Sequence, residues 1–201
     1  MTGPTDVSTP APGFDDVVFD SQRVFRGVLQ ALSFPGRIQT MAIDLDPPVA
    51  LNPATAAVCL ALVDLETPVW LDAKANTDPV RAYLRFHCGC SVVDDPARAK
   101  FAVIADPAAM PSLQEFDHGD DRYPDRSATV IIQVPSLISG RNMTLSGPGI
   151  DGSLDAIIEG MTELFWSEWQ ANASVYPSGV DVLFTCGTSL LGLPRTIRIK
   201  V

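Results

Sequence analysis

The sequence predicts a single α/β domain built on a mixed sheet, and three observations predict it. Segments with the i, i+3, i+4, i+7 spacing of a helix alternate along the chain with short apolar runs of strand length. Asn52-Pro53 and Asp78-Pro79 each place a capping residue type directly before proline, a helix start signal that occurs twice. Hairpin-like spacing near both ends argues for a sheet that is mixed rather than wholly parallel.

Residues 1–13 are rich in Pro, Thr and Gly without periodicity and read as a flexible tail, so one domain is expected over 14–201. Asp20 or Ser21 caps a first helix whose stripe is Phe25, Val28, Leu29 and Leu32, and Pro35-Gly36 ends it. A strand is expected over 37–43. The segment 54–65 is apolar almost all round and reads as a helix buried against the sheet. Val69-Trp70-Leu71 is a short strand, and the helix over 80–88 stops at Gly89. Further strands are expected at 101–105, 128–134, 142–146, 180–186 and 196–201, and 117–126 reads as a mobile, charged loop. The longest helix is expected over 153–171, with Leu154, Ile158, Met161, Phe165 and Trp169 on its inner stripe. That register places Trp166 on the polar face. An exposed tryptophan there reads as an interface residue, within a homodimer or against another subunit.

Composition narrows the classes of function. With 46% apolar and 19% charged residues in 201, the chain can bury a full core and is not disordered. No apolar run approaches the roughly 20 residues of a membrane span. Residues 1–13 carry no Lys, Arg or apolar block, so no signal or transit peptide is read and the cytoplasm is the expected compartment. Four cysteines are then expected as free thiols or ligands rather than disulfides. A formal charge of -10, from 14 basic and 24 acidic residues, argues against nucleic-acid or anionic-membrane binding.

Several constellations bear on chemistry. His87, at the C-terminal end of its helix, fits either a partly buried histidine satisfied by backbone carbonyls or a general acid or anion contact. Arg81 and Arg85 stand at i and i+4, two guanidinium groups suited to phosphate, to a partner's carboxylates, or to solvent alone. His87-Cys88-Gly89-Cys90 lacks the paired spacing of a zinc site, and no metal is expected. Ser146-Gly147-Pro148-Gly149-Ile150 is either an anion-cradling turn before the long helix, with Gly147 and Gly149 exposing N–H groups and Arg141 adding charge, or a simple chain reversal. A Gly-x-Ser-x-Gly elbow and a His-Glu-x-x-His motif are both missing, which argues against a hydrolase.

Ser33-Phe34-Pro35-Gly36, Leu84-Arg85-Phe86-His87, Gly140-Arg141 through Gly149-Ile150 and Pro194-Arg195-Thr196 together resemble the H-subunit family of the bacterial carbon–phosphorus lyase system, over about 19–199. The resemblance implies a component of organophosphonate catabolism that acts with the G, I and L proteins when phosphonate replaces the adenine of ATP, giving a ribose 1-phosphonate 5-triphosphate. It also implies assembly with the G, I and J subunits and a homodimer when isolated. The implied fold is a three-layer mixed-sheet domain similar to pyridoxal-phosphate-dependent transferases, without the cofactor. The lysines agree with that expectation: Lys74, Lys100 and Lys200 all stand away from the glycine-rich turn in sequence. Two functional classes follow, an accessory subunit touching ATP or phosphonate through Arg85, His87 or Arg141, and an independently catalytic transferase.

Overall fold

The computed structural model describes residues 10–200. Helix α1 (Val17–Ser33) starts a turn earlier than expected, because Asp16 accepts from the N–H groups of Val18 and Phe19 at 3.2 and 3.0 Å. Its buried residues are Val24, Val28 and Ala31, whereas Phe25 and Leu29, expected on the core stripe, stay 46% and 47% exposed. A close approach sets this rotation. A Cβ on Gly192 would stand 2.5 Å from the Ala31 carbonyl oxygen, so the small-residue side of the helix is the side that meets the sheet.

Of the strand expected over 37–43, only β1 (Gln39–Thr40) forms. Helix α2 (Pro53–Leu62) is capped by Asn52, whose Oδ1 accepts from the Thr55 N–H at 2.8 Å, and residues 54–59 are all buried. Strand β2 (Val69–Leu71) leads to α3 (Asp78–Cys88), closed by Gly89 at φ +67°. Then come β3 (Val92–Val93), which the sequence reading missed, β4 (Phe101–Ile104), β5 (Thr129–Gln133) and β6 (Arg141–Ser146).

The long helix expected over 153–171 is two elements. Residues Leu154–Ile158 form strand β7, antiparallel to β6, and α4 covers only Glu163–Ser174. Gly160 separates them at φ +90°, and a Cβ there would meet Pro135 Cδ at 2.7 Å. Thr162 then caps α4 by accepting from Phe165 N–H. Leu154 and Ile158 therefore sit on a hairpin rather than on a helical stripe. The chain ends with β8 (Asp181–Cys186), β9 (Ser189–Leu193), also missed, and β10 (Arg198–Lys200).

Seven strands make one sheet in the order β1-β9-β8-β5-β4-β2-β3, with β3, β2, β4, β5 and β8 parallel and β9 antiparallel to both its neighbours. A smaller antiparallel sheet is ordered β10-β6-β7. Alternate residues of the large sheet feed two cores. Val103, Ile131 and Leu183 face α1, α2 and α3, while Ile104, Ile132 and Phe184 face α4 and the small sheet. Three layers result.

Candidate functional site

Helix α3 presents the face that the sequence singled out. Arg81 Nη1 donates to Asn76 Oδ1 at 3.0 Å, a neutral partner, and Arg85 forms no ion pair among the described residues. Both border an open cleft of about 1060 Å³ shared with Leu65, Phe86, Ser91 and Pro10. Phe86 is 68% exposed there. Two guanidinium groups beside an exposed ring suit an anion with an apolar portion.

His87 turns the other way. Its Nε2 lies 2.9 Å from the Ala11 carbonyl oxygen, and its ring centre is 4.6 Å from that of Tyr83. Gly13 lies against the imidazole so closely that a Cβ would stand 2.9 Å from Nδ1. Residues 10–13, expected in the flexible tail, therefore pack on α3; residues 1–9 lie outside the described residues. Beneath the helix, burial pushes the Cys59 thiol well up, and burial with the neighbouring Cys90 pushes Cys88 up to about 12. Burial likewise raises Cys90. Protonated thiols are poor metal ligands and nucleophiles. Among the described residues, no group of three or more His, Cys, Asp or Glu is placed to hold a metal ion.

The glycine-rich turn is not the entrance to a helix. It connects β6 to β7, so Gly147 and Gly149 have no helix N-terminus behind them to bind an anion. Their role is close contact. A Cβ on Gly149 would stand 2.3 Å from the Ser33 carbonyl oxygen, and one on Gly147 would stand 3.0 Å from that of Thr196. A Cβ on Gly36 would meet Leu145 at 2.7 Å. Arg141 lies at the far end of β6, about 17 Å along the strand from Ser146, and pairs with Glu163. It does not share a site with the turn.

Arg195, in the last signature segment, is a structural hub. Its Nη2 donates to Asp181 Oδ2 at 2.6 Å and to Ser127 Oγ at 2.5 Å, and its Nη1 to the carbonyls of Pro124 and Pro177. Together with Lys100, which donates to Asp117 Oδ2 at 2.7 Å and to the Arg126 carbonyl, it anchors the 117–126 loop. Trp166, expected on the polar face, is only 3% exposed and packs edge-on to Phe165 at 4.8 Å. Phe165 and Trp169 face inward as expected, but the buried face of α4 is wide enough to take in Trp166 as well, three residues before Trp169, so the interface reading of Trp166 has no exposed ring to rest on.

One arrangement was not anticipated from sequence. After β2 the chain turns into α3 on one face of the sheet, and after neighbouring β4 it turns through Pro107–Ala109 and Leu113–Glu115 toward the α4 face. Connections that diverge at the carboxyl ends of adjacent parallel strands leave a crevice, the position where open α/β sheets bind ligands. Asp72, buried at the end of β2, accepts from Ala75 N–H at 2.7 Å on Oδ1, and from Ala105 and Asp106 N–H at 2.9 and 2.7 Å on Oδ2. One carboxylate thus ties both strand ends together. Cavities of about 520 and about 600 Å³ open at this point, and Lys74 and Asp106 line both. The wall opposite is held by Gln133, which accepts from Asn52 N–H at 2.5 Å and donates to the Ala50 carbonyl at 2.9 Å.

The sequence profile of the family described as bacterial phosphonate metabolism protein (PhnH) matches residues 12–200. The chain belongs to the PhnH family. It is 34% identical over 200 residues to the alpha-D-ribose 1-methylphosphonate 5-triphosphate synthase subunit PhnH of Rhizobium meliloti (strain 1021), covering 100% of this chain and 99% of that one. It is also 29% identical over 188 residues to the putative C-P lyase subunit protein HtxG of Stutzerimonas stutzeri, covering 90% and 86% respectively. Both relatives are described as subunits.

In this PhnH-family chain the resembling segments divide into two groups. Ser33 to Gly36, Gly147 to Gly149 and the segment around Thr196 meet at one junction where α1, the small sheet and the chain end touch. Leu84 to His87 lies apart on α3. The signal that could have marked the crevice is local: Asp72 and Asp106 each follow directly on a strand-like run, where a polar residue stands at a strand's carboxyl end.

Proposed function

We propose that this chain works in the cytoplasm as an accessory subunit of the carbon–phosphorus lyase system, acting with G, I and L proteins in the step that joins phosphonate to the ribose triphosphate of ATP. The end-to-end match to a relative described as a subunit of that synthase carries the reading. The side-chain chemistry supports it. Both imidazoles are engaged with main-chain carbonyls, His87 with Ala11 and His118 with Leu113, each at 2.9 Å, and the three thiols at α3 are held protonated. A chain whose usual acid–base and nucleophilic groups are committed to structure contributes surfaces to a shared site.

The partners proposed are the G, I and J subunits, with a second copy of this chain when it is isolated. The α3 face is the part of the surface assigned to ATP or phosphonate, through Arg81 and Arg85. The three-layer mixed sheet is proposed to be a cofactor-free relative of the pyridoxal-phosphate-dependent transferases; its seven-stranded sheet covered on both faces supports this. The test is complementation. A strain lacking this subunit and carrying Arg81→Ala/Arg85→Ala should lose growth on methylphosphonate as sole phosphorus source while the purified variant melts like the wild type. Normal growth with a stable double variant would remove the α3 face from function.

A further inference from the structure

We propose that the crevice between the carboxyl ends of β2 and β4 binds a small phosphorylated sugar, its phosphate on Lys74 and a hydroxyl on Asp106. The proposal rests on the reading of this chain as a subunit of a ribose-phosphonate pathway and names a second site on it, separate from the α3 face.

Four observations carry it. First, the crevice is a topological switch point, with the chain leaving β2 and β4 toward opposite faces of the sheet. Second, it is built rather than incidental. Asp72 clamps the two strand ends with three N–H bonds, and Gln133 fixes the 50–52 segment to β5 from both ends of its amide. Asn52 and Thr55 are tied to Thr185 behind it, at 3.2 and 2.7 Å. Such preorganised walls lower the ordering cost of binding.

Third, the groups with unused capacity are few and complementary. Lys74 forms no ion pair among the described residues, and it is the sole cationic side chain lining either cavity. Asp106 spends one oxygen on the Ala108 N–H at 3.2 Å and keeps the other as an acceptor. An ammonium selects an anion, and a carboxylate acceptor selects a hydroxyl donor. Fourth, size and charge exclude the alternatives. At about 520 and about 600 Å³ the cavities exceed a bare anion. Asp106 would repel a triphosphate that one lysine cannot neutralise, so polyphosphate is left to the paired arginines of α3.

The experiment is calorimetric titration of the full chain with ribose 5-phosphate, inorganic phosphate and ribose. Ribose 5-phosphate should bind more tightly than either fragment. Lys74→Ala should weaken it roughly tenfold or more, the loss of one charge-assisted contact. Asp106→Asn, which retains the acceptor for Ala108 and removes a charge that repels phosphate, should weaken ribose 5-phosphate while inorganic phosphate binds at least as tightly as to the wild type. Arg85→Ala should bind as the wild type does. The assignment is overturned if ribose 5-phosphate gives no heat at millimolar concentration, if binding survives both crevice substitutions in folded protein, or if Arg85→Ala abolishes it. Equal affinity for phosphate and ribose 5-phosphate would overturn the hydroxyl contact. The growth test of the arginine face is decided separately, so either result can fail without the other.

Discussion

At Gly149 the backbone has room for no side chain. Its φ is +85°, and a Cβ would stand 2.3 Å from the Ser33 carbonyl oxygen and 2.9 Å from Pro35 Cδ. Both the left-handed strain and the backbone clash act on Gly149→Ala, which is expected to lose about 3 kcal/mol or more. Denaturant unfolding checks this, with Gly152→Ala as the control, since a Cβ on Gly152 meets nothing within 4 Å. Asp117 offers a charged counterpart. Burial works to raise its carboxyl, but hydrogen bonds from Lys100 and the Gly119 N–H, with the Lys100 charge, outweigh it and hold it below its ordinary 3.8. A carboxyl lowered in the folded state stabilises above its unfolded value, and that gain is lost as pH falls through the lowered one. Lys100→Ala should therefore melt below the wild type at pH 6, with the difference shrinking as pH drops under about 3.8. A difference independent of pH would assign the loss to packing alone.

Helix α1 carries two neighbouring apolar stripes. One, Val24, Val28 and Ala31, is used inside. The other leaves Val18, Phe25 and Leu29 exposed at 73%, 46% and 47%. These three share one face at helical spacing, and they are the apolar surface on which the proposed pairing of two copies would rest. Phe25→Asp/Leu29→Asp is expected to convert the isolated protein to monomer without changing its circular-dichroism spectrum, as read by sedimentation. Unaltered self-association would place the dimer contact elsewhere. The rotation of α1 was not legible in the sequence, because both stripes satisfy the helical period equally. Gly192, which chooses between them, is 161 positions beyond Ala31. The helix over 153–171 failed for a related reason. Leu154, Ile158, Met161 and Phe165 satisfy the helical spacing, yet Leu154, Ala156 and Ile158 also satisfy alternation, and only pairing with β6 decides for the strand.

Across the whole molecule, the central strands of the large sheet, β4, β5 and β8, each serve both cores. Val103 faces one and Ile104 the other, as do Ile131 and Ile132, and Leu183 and Phe184. The glycine junction further joins α1 on one face to the small sheet on the other. Neither core can loosen without distorting strands that the other needs, so unfolding should be a single cooperative transition. Tryptophan fluorescence reports the α4 side, where Trp166 and Trp169 are buried, and far-UV circular dichroism reports all elements. Their denaturant curves are expected to coincide; separated midpoints would show the two cores to be independent.

By itself the sequence determined the alternation of helices and strands, the caps at Asn52 and Gly89, the buried character of α2 and the family, because these reside in local spacing and in short motifs. It also placed Arg81 and Arg85 together, since four residues apart on a helix is a local relation. Tertiary structure alone decided the rest. His87 acquired its partner from Ala11, 76 residues away, and Trp166 became a core residue because Phe184 of β8 packs against it. Asp72 became a clamp only when β4 was laid beside β2. Hydrogen bonding and burial depend on what another part of the chain brings within a few ångströms, and no spacing rule along one segment records that.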